Sequence, residues 1–96
     1  MLDLNRRCRR SDSVVFRKIN TEAILVPIRG DVADLENIYT LNEAGQFIWH
    51  ILDGKRTVKD VCEAIITEFE VTAEQSRTDV LEFLGEMVSV KLVEVA

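Results

Sequence analysis

Ninety-six residues lie below the usual single-domain mode of roughly 100–150 residues, so the chain has room for one core and little else. Hydrophobic residues make up 47% and charged residues 30%, with one Pro and four Gly, which excludes disordered and collagen-like chains. No apolar run approaches the ~20 residues that span a bilayer and the first residues lack a secretory-type apolar stretch, so a cytoplasmic protein that meets no membrane is expected.

The net charge of −5 is unevenly spread. Residues 1–20 hold Arg6, Arg7, Arg9, Arg10, Arg17 and Lys18 against Asp3 and Asp12, a balance of +4, whereas residues 21–96 hold six bases and 15 acids, a balance of −9. Residues 1–13 read as a basic, disordered arm, because a terminus without apolar anchors rarely orders on its own. Residues 14–96 read as the folded domain. Cys8 and Cys62 lie too far apart in sequence and in too different a context to suggest a disulfide framework. With His50 the sole histidine, no metal site can be assembled at a recognisable spacing. There is also no phosphate loop and no nucleophile elbow, so no catalytic residue and no cofactor are expected.

From residue 14 the pattern becomes regular. Val14–Ile19 and Ala23–Ile28 are runs rich in β-branched residues, separated by Asn20-Thr21-Glu22, and read as strand, turn and strand. Pro27 has no N–H for a ladder and should sit at a strand end or a bulge. Leu35–Leu41 reads as a third strand, with Leu35, Tyr39 and Leu41 on one face and Glu36, Ile38 and Thr40 on the other. Three such strands make an antiparallel meander.

A helix follows, capped by Asn42, with Ala44, Phe47, Ile48, Ile51 and Leu52 at i, i+3, i+4, i+7 and i+8 and Gly54 as its stop signal. Trp49 falls at the edge of that stripe and His50 on its polar side. Thr57 and Asp60 form a capping box for a second helix, whose apolar stripe of Val58, Val61, Cys62, Ile65, Ile66 and Phe69 makes Cys62 a small buried hydrophobe. Thr72, with Gln75 completing another box, opens a third helix. Its stripe is Val80, Phe83, Leu84 and Met87, and Leu81 and Val88 lie beyond one edge. Gly85 in mid-helix costs about 1 kcal/mol relative to Ala, a cost compatible either with close approach of another backbone or with relief of crowding inside the domain. Leu92–Val95 can add a terminal strand.

Three strands followed by three helices give an α+β, winged helix-turn-helix-like fold with the sheet first. The run Tyr39-Thr40-Leu41-Asn42-Glu43-Ala44-Gly45-Gln46-Phe47-Ile48-Trp49, then Leu52-Asp53-Gly54-Lys55-Arg56-Thr57, and later Asp79-Val80-Leu81 and Leu84, resembles the PqqD-like family of peptide-recognition chaperones over about residues 14–95. The resemblance implies a protein that binds the leader segment of a ribosomally made precursor peptide and presents it to a modifying enzyme, often a radical S-adenosylmethionine enzyme. The Asn-Glu-Ala-Gly opening of the first helix differs from that of members dedicated to pyrroloquinoline quinone, so that pathway is not itself implied.

Strand addition to the third strand would supply such binding, with backbone pairing for affinity and apolar pockets for specificity. The candidate pairing residues are Glu36, Asn37, Ile38, Tyr39 and Thr40, and the candidate groove residues are Arg77, Leu81, Leu84, Gly85 and Val88. An unpaired edge can also join a second copy of the chain into a homodimer. The rival reading is a DNA-binding winged helix. It meets a third helix with Glu74, Asp79, Glu82 and Glu86 against Arg77 and Lys91, the wrong charge for phosphate, so no nucleic-acid partner is expected. A purely structural subunit of an enzyme complex is the remaining alternative.

Overall fold

A computed structural model describes residues 2–96. In chain order the elements are β1 (Arg7–Arg10), β2 (Val14–Ile19), β3 (Glu22–Arg29), β4 (Val32–Ala33), β5 (Tyr39–Leu41), α1 (Glu43–Ile51), β6 (Asp53–Thr57), α2 (Val58–Phe69), α3 (Ala73–Ser89) and β7 (Val93–Val95). They form two antiparallel sheets and three helices around one core.

The first sheet is the expected meander. β2 pairs with β3 from Val14↔Pro27 to Ile19↔Glu22 around a turn in which Asn20 takes a left-handed φ of 59°, a conformation Asn tolerates better than most residues. On its other side β3 has two partners in succession, β5 at Ala23–Leu25 and β4 at Ile28 and Arg29. Pro27 lies inside the strand rather than at its end. It falls in the gap between these partners and opposite the first residue of β2, so its missing N–H removes no bond from either short ladder.

The second sheet, ordered β6-β1-β7, was not expected and corrects the reading of residues 1–13 as a disordered arm. β1 pairs with β6 and with β7, and Cys8 is only 2% exposed in the core. Leu2 and Leu4 pack against the same core, while the Leu4 and Arg6 carbonyls accept from Lys59 and Val58 at 3.0 and 2.8 Å. Apolar anchors were therefore present before the arginines, at Leu2 and Leu4, and between them at Cys8. Each arginine of β1 also has a partner: Arg7 Nε donates to the Lys55 carbonyl, Arg9 pairs with Glu94 at 2.8 Å, and Arg10 Nη1 donates to the last carbonyls of α1 at Trp49 and His50. Gly54 is likewise corrected from a helix stop to a residue of β6. At φ 78° it lies where β6 bulges, with four residue steps from Asp53 to Thr57 against two from Arg9 to Arg7, and a side chain there would press on Arg9 Cβ at 3.4 Å.

The helices begin where their caps dictate. Asn42 Oδ1 accepts from the Gly45 amide at 2.8 Å, and the Thr57–Asp60 box closes in both directions. Thr72 caps α3 through the Gln75 amide, but the Gln75 side chain runs forward to Asp79 instead of closing a second box. α3 ends in a Schellman motif, with Leu92 N–H donating to Met87 O and Lys91 N–H to Val88 O, and Lys91 takes the left-handed position at φ 64° that glycine usually fills. Trp49, Cys62, Val80, Leu84 and Met87 are all buried. Two polar side chains that the sequence reading passed over are buried beside them. Ser76 on α3 donates to the Cys62 carbonyl of α2 at 2.7 Å, and Gln46 on α1 donates to the carbonyls of Thr21 and Leu41.

Candidate functional site

β5 is short because Asp34 organises the chain before it. Its carboxylate accepts from Arg29 Nε at 2.7 Å, Asn37 Nδ2 at 2.8 Å and the Glu36 amide at 3.2 Å, an Asx-type turn that draws 34–37 away from a ladder. The Arg29 guanidinium, then Asn37, holds the Asp34 carboxyl below its ordinary range. The expected strand from Leu35 is thereby corrected: Glu36, Asn37 and Ile38 form a loop, and only Tyr39 and Thr40 of the five pairing candidates lie on β5.

β5 pairs with β3 alone, so its other margin carries no strand among the described residues. Gln46 fixes its end by donating to the Leu41 carbonyl. α3 runs alongside β5 in the opposite direction. Ile38 and Tyr39 border a hollow of about 500 Å³ with Ser89 and Val90 at the end of α3, Tyr39 to Leu41 share a second with Phe83, and Asn42 and Gly45 share a third with Asp79, Glu82, Phe83 and Glu86. Gly45 permits this approach of α1 to α3, since a Cβ there would meet Phe83 Cε1 and Asn42 Oδ1 at 3.3 Å. Burial, and then the facing Glu86 carboxylate, pushes the Tyr39 hydroxyl up to about 12.

None of the five groove candidates on α3 lines these three hollows. Leu84 has no exposed surface and belongs to the core, Leu81 and Val88 pack partly against it, and Arg77 and Gly85 are exposed. A Cβ added at Gly85 would meet nothing within 4 Å, so within this chain neither close approach nor crowding explains that glycine. At 100° per residue these candidates lie to one side of the buried stripe or on it, whereas Asp79, Glu82, Phe83, Glu86 and Val90 lie to the other. Phe83, at the stripe's opposite margin, was the signal that could have found the flank bordering β5. Ile38 and Val90 keep 40% and 42% of their surface exposed at the mouth of the first hollow, with Val32 on β4 and Leu35 on the loop after it more exposed still.

Asp79, Glu82 and Glu86 form no ion pair among the described residues, and a helix face of that sign repels phosphate. The described residues contain no group of three potential ligands placed to hold a metal ion, and none of their helices is long and apolar enough to cross a membrane. Burial raises both free thiols, Cys8 and Cys62, above the ordinary cysteine value, as suits packing residues.

The fold is similar to that of TbiB1 in complex with the TbiA(beta) leader peptide, with a TM-score of 0.72 and 24% identity over 90% of this chain and 94% of that one. No curated protein matches the sequence. The family model for coenzyme PQQ synthesis protein D matches residues 22–93, from the start of β3 to β7. With three quarters of its length so matched, the chain belongs to the PqqD family.

Proposed function

We infer that this protein binds the leader segment of a ribosomally synthesised precursor peptide by strand addition and presents it to a modifying enzyme. The observation that carries this reading is the unpaired margin of β5, lying beside α3 across hollows of mixed apolar and polar lining in a PqqD-family chain. Alternate residues of an antiparallel strand send both N–H and C=O to the same side, so a three-residue margin offers only one or two residues' worth of outward pairing groups. Side chains must therefore supply much of the affinity, and Ile38, Tyr39, Phe83 and Val90 are the groups placed to do so. β2 has an outer margin too, but Arg17 and Lys18 on that strand are the kind of charge that discourages edge pairing.

On this reading the protein is a carrier and not a catalyst. It acts in the cytoplasm, where a newly made precursor is available, and serves a modifying enzyme of the radical S-adenosylmethionine class. Binding through β5 also leaves the second sheet free to face that enzyme. The test is titration of ¹⁵N-labelled protein with synthetic leaders of the short precursor peptides encoded in neighbouring reading frames. Amide shifts confined to residues 37–42 and the facing side of α3 are expected, and a saturating leader that leaves β5 unmoved would overturn the reading.

A further inference from the structure

The groove beside β5 is graded in charge. At the end where Ile38 faces Val90 the lining is mixed in charge, with Lys91 and Glu36 both present and Arg29 held by Asp34. Towards α1 the wall of α3 presents Glu86, Glu82 and Asp79 in turn, with Phe83 among them. Asp79 and Glu82 stand three residues apart and Glu82 and Glu86 four, spacings at which like charges oppose helix formation. No cation among the described residues pairs with any of them, and the arginines of β1 are engaged elsewhere, Arg7 and Arg9 on the second sheet and Arg10 at the end of α1. An occupant carrying positive charge would relieve this repulsion.

Spacing follows from the two backbones. Val90 is four helical residues, about 6 Å, from Glu86 and eight, about 12 Å, from Glu82. A strand advances about 6.7 Å every two residues and presents alternate side chains to the same face. We propose that the β5–α3 groove selects a peptide strand bearing an apolar side chain for the Ile38–Val90 hollow and a Lys or Arg two or four residues away, against Glu86 or Glu82. This rests on the strand-addition reading above. Lys91 and Glu36 offset one another at the Ile38–Val90 end, whereas the α1 end carries acids alone, so the charge gradient also favours one direction for the strand.

The probe is a random twelve-residue peptide library displayed on phage and selected against the whole chain. The best binder is then resynthesised with its basic residue as Lys, Gln or Glu. Selected peptides are expected to carry apolar and basic residues at i and i+2 or i+4, and to move β5 amides. Lys→Gln should weaken binding about three- to tenfold and Lys→Glu further, the differences shrinking at high salt and in the Glu82→Gln/Glu86→Gln protein. Binders that shift β5 amides without basic enrichment, or that are indifferent to the Lys replacement, overturn the charge inference and leave strand addition standing. Binders that leave β5 amides unmoved overturn both. Salt-sensitive dimerisation of the protein, abolished by Glu82→Gln/Glu86→Gln, would assign the acidic wall to a second copy and overturn the inference.

Discussion

β1 and β5 are both short strands, but one is enclosed and the other open. β1 has a strand on each side, sends Cys8 into the core and engages the guanidiniums of Arg7, Arg9 and Arg10. β5 has a strand on one side only, and the helix face beside it carries carboxylates without cationic partners among the described residues. Ion-paired and core-bound groups hold the chain together, while surface charges without a counter-charge are open to a partner. The contrast ties the basic segment to stability and, on the reading proposed above, the acidic one to recognition, the reverse of what arginine content alone suggests.

The largest expected effect comes from removing the enclosed strand. Deleting residues 1–10 takes away Cys8, Leu2, Leu4 and both ladders of β1, and should cost about 4–8 kcal/mol, most of the stability of a domain this size. Urea unfolding followed by circular dichroism reads it. A truncated chain with an unchanged midpoint would return the segment to the status of a loose arm.

The open strand should respond in the opposite way. Ile38→Pro removes one N–H beside β5, where the backbone has no internal partner to lose. It should leave the midpoint nearly unchanged and weaken leader binding about three- to tenfold by fluorescence anisotropy. Undiminished affinity would show that the peptide does not pair there.

Gly85→Ala sharpens the comparison on α3. The added methyl meets nothing in this chain, so helix propensity should raise stability by up to about 1 kcal/mol. Unaltered leader affinity would confirm that Gly85 lies off the groove, whereas a large loss would return it to the site.

The smallest effect is read from Tyr39, the one tyrosine in the chain. Its absorbance titration should have a midpoint near 12, lowered in Glu86→Gln. A raised folded value means that the folded state retains the proton longer. The associated stability is complete below the ordinary tyrosine value near 10 and is lost as pH rises towards 12. A midpoint of 10 would show that Tyr39 does not face Glu86 in solution.

How much of this was legible in the sequence depended on how local each signal was. The Asn42 cap and the Thr57–Asp60 box are written within four residues and were read correctly, as was the β2–β3 hairpin. β1 was missed because its partners, β6 and β7, lie more than 40 residues away, and because arginines at Arg7, Arg9 and Arg10 drew attention from Cys8 between them. The stripe of α3 was recognised, but periodicity shows only which residues face the core, not which flank of that stripe lies beside β5. Leu81 and Val88 were the more apolar flank and were chosen over Phe83, which the meeting of α1 with α3 at Gly45 makes the neighbour of the open margin. The Asp34 turn was overlooked because the alternation from Leu35 to Leu41 imitates a strand.

Pro27 has an effect beyond its own position. It stands where β3 passes from β5 to β4, and together with the Asp34 turn, which shifts the register between them, it keeps two stubs from merging into one long, sticky border. A border that long would welcome almost any unfolded polypeptide, including other copies of itself, and would invite fibrils. Broken into pieces of two and three residues, it would, on the strand-addition reading, be a fastidious host: a guest with the wrong side chains would gain too little from backbone contacts alone to stay.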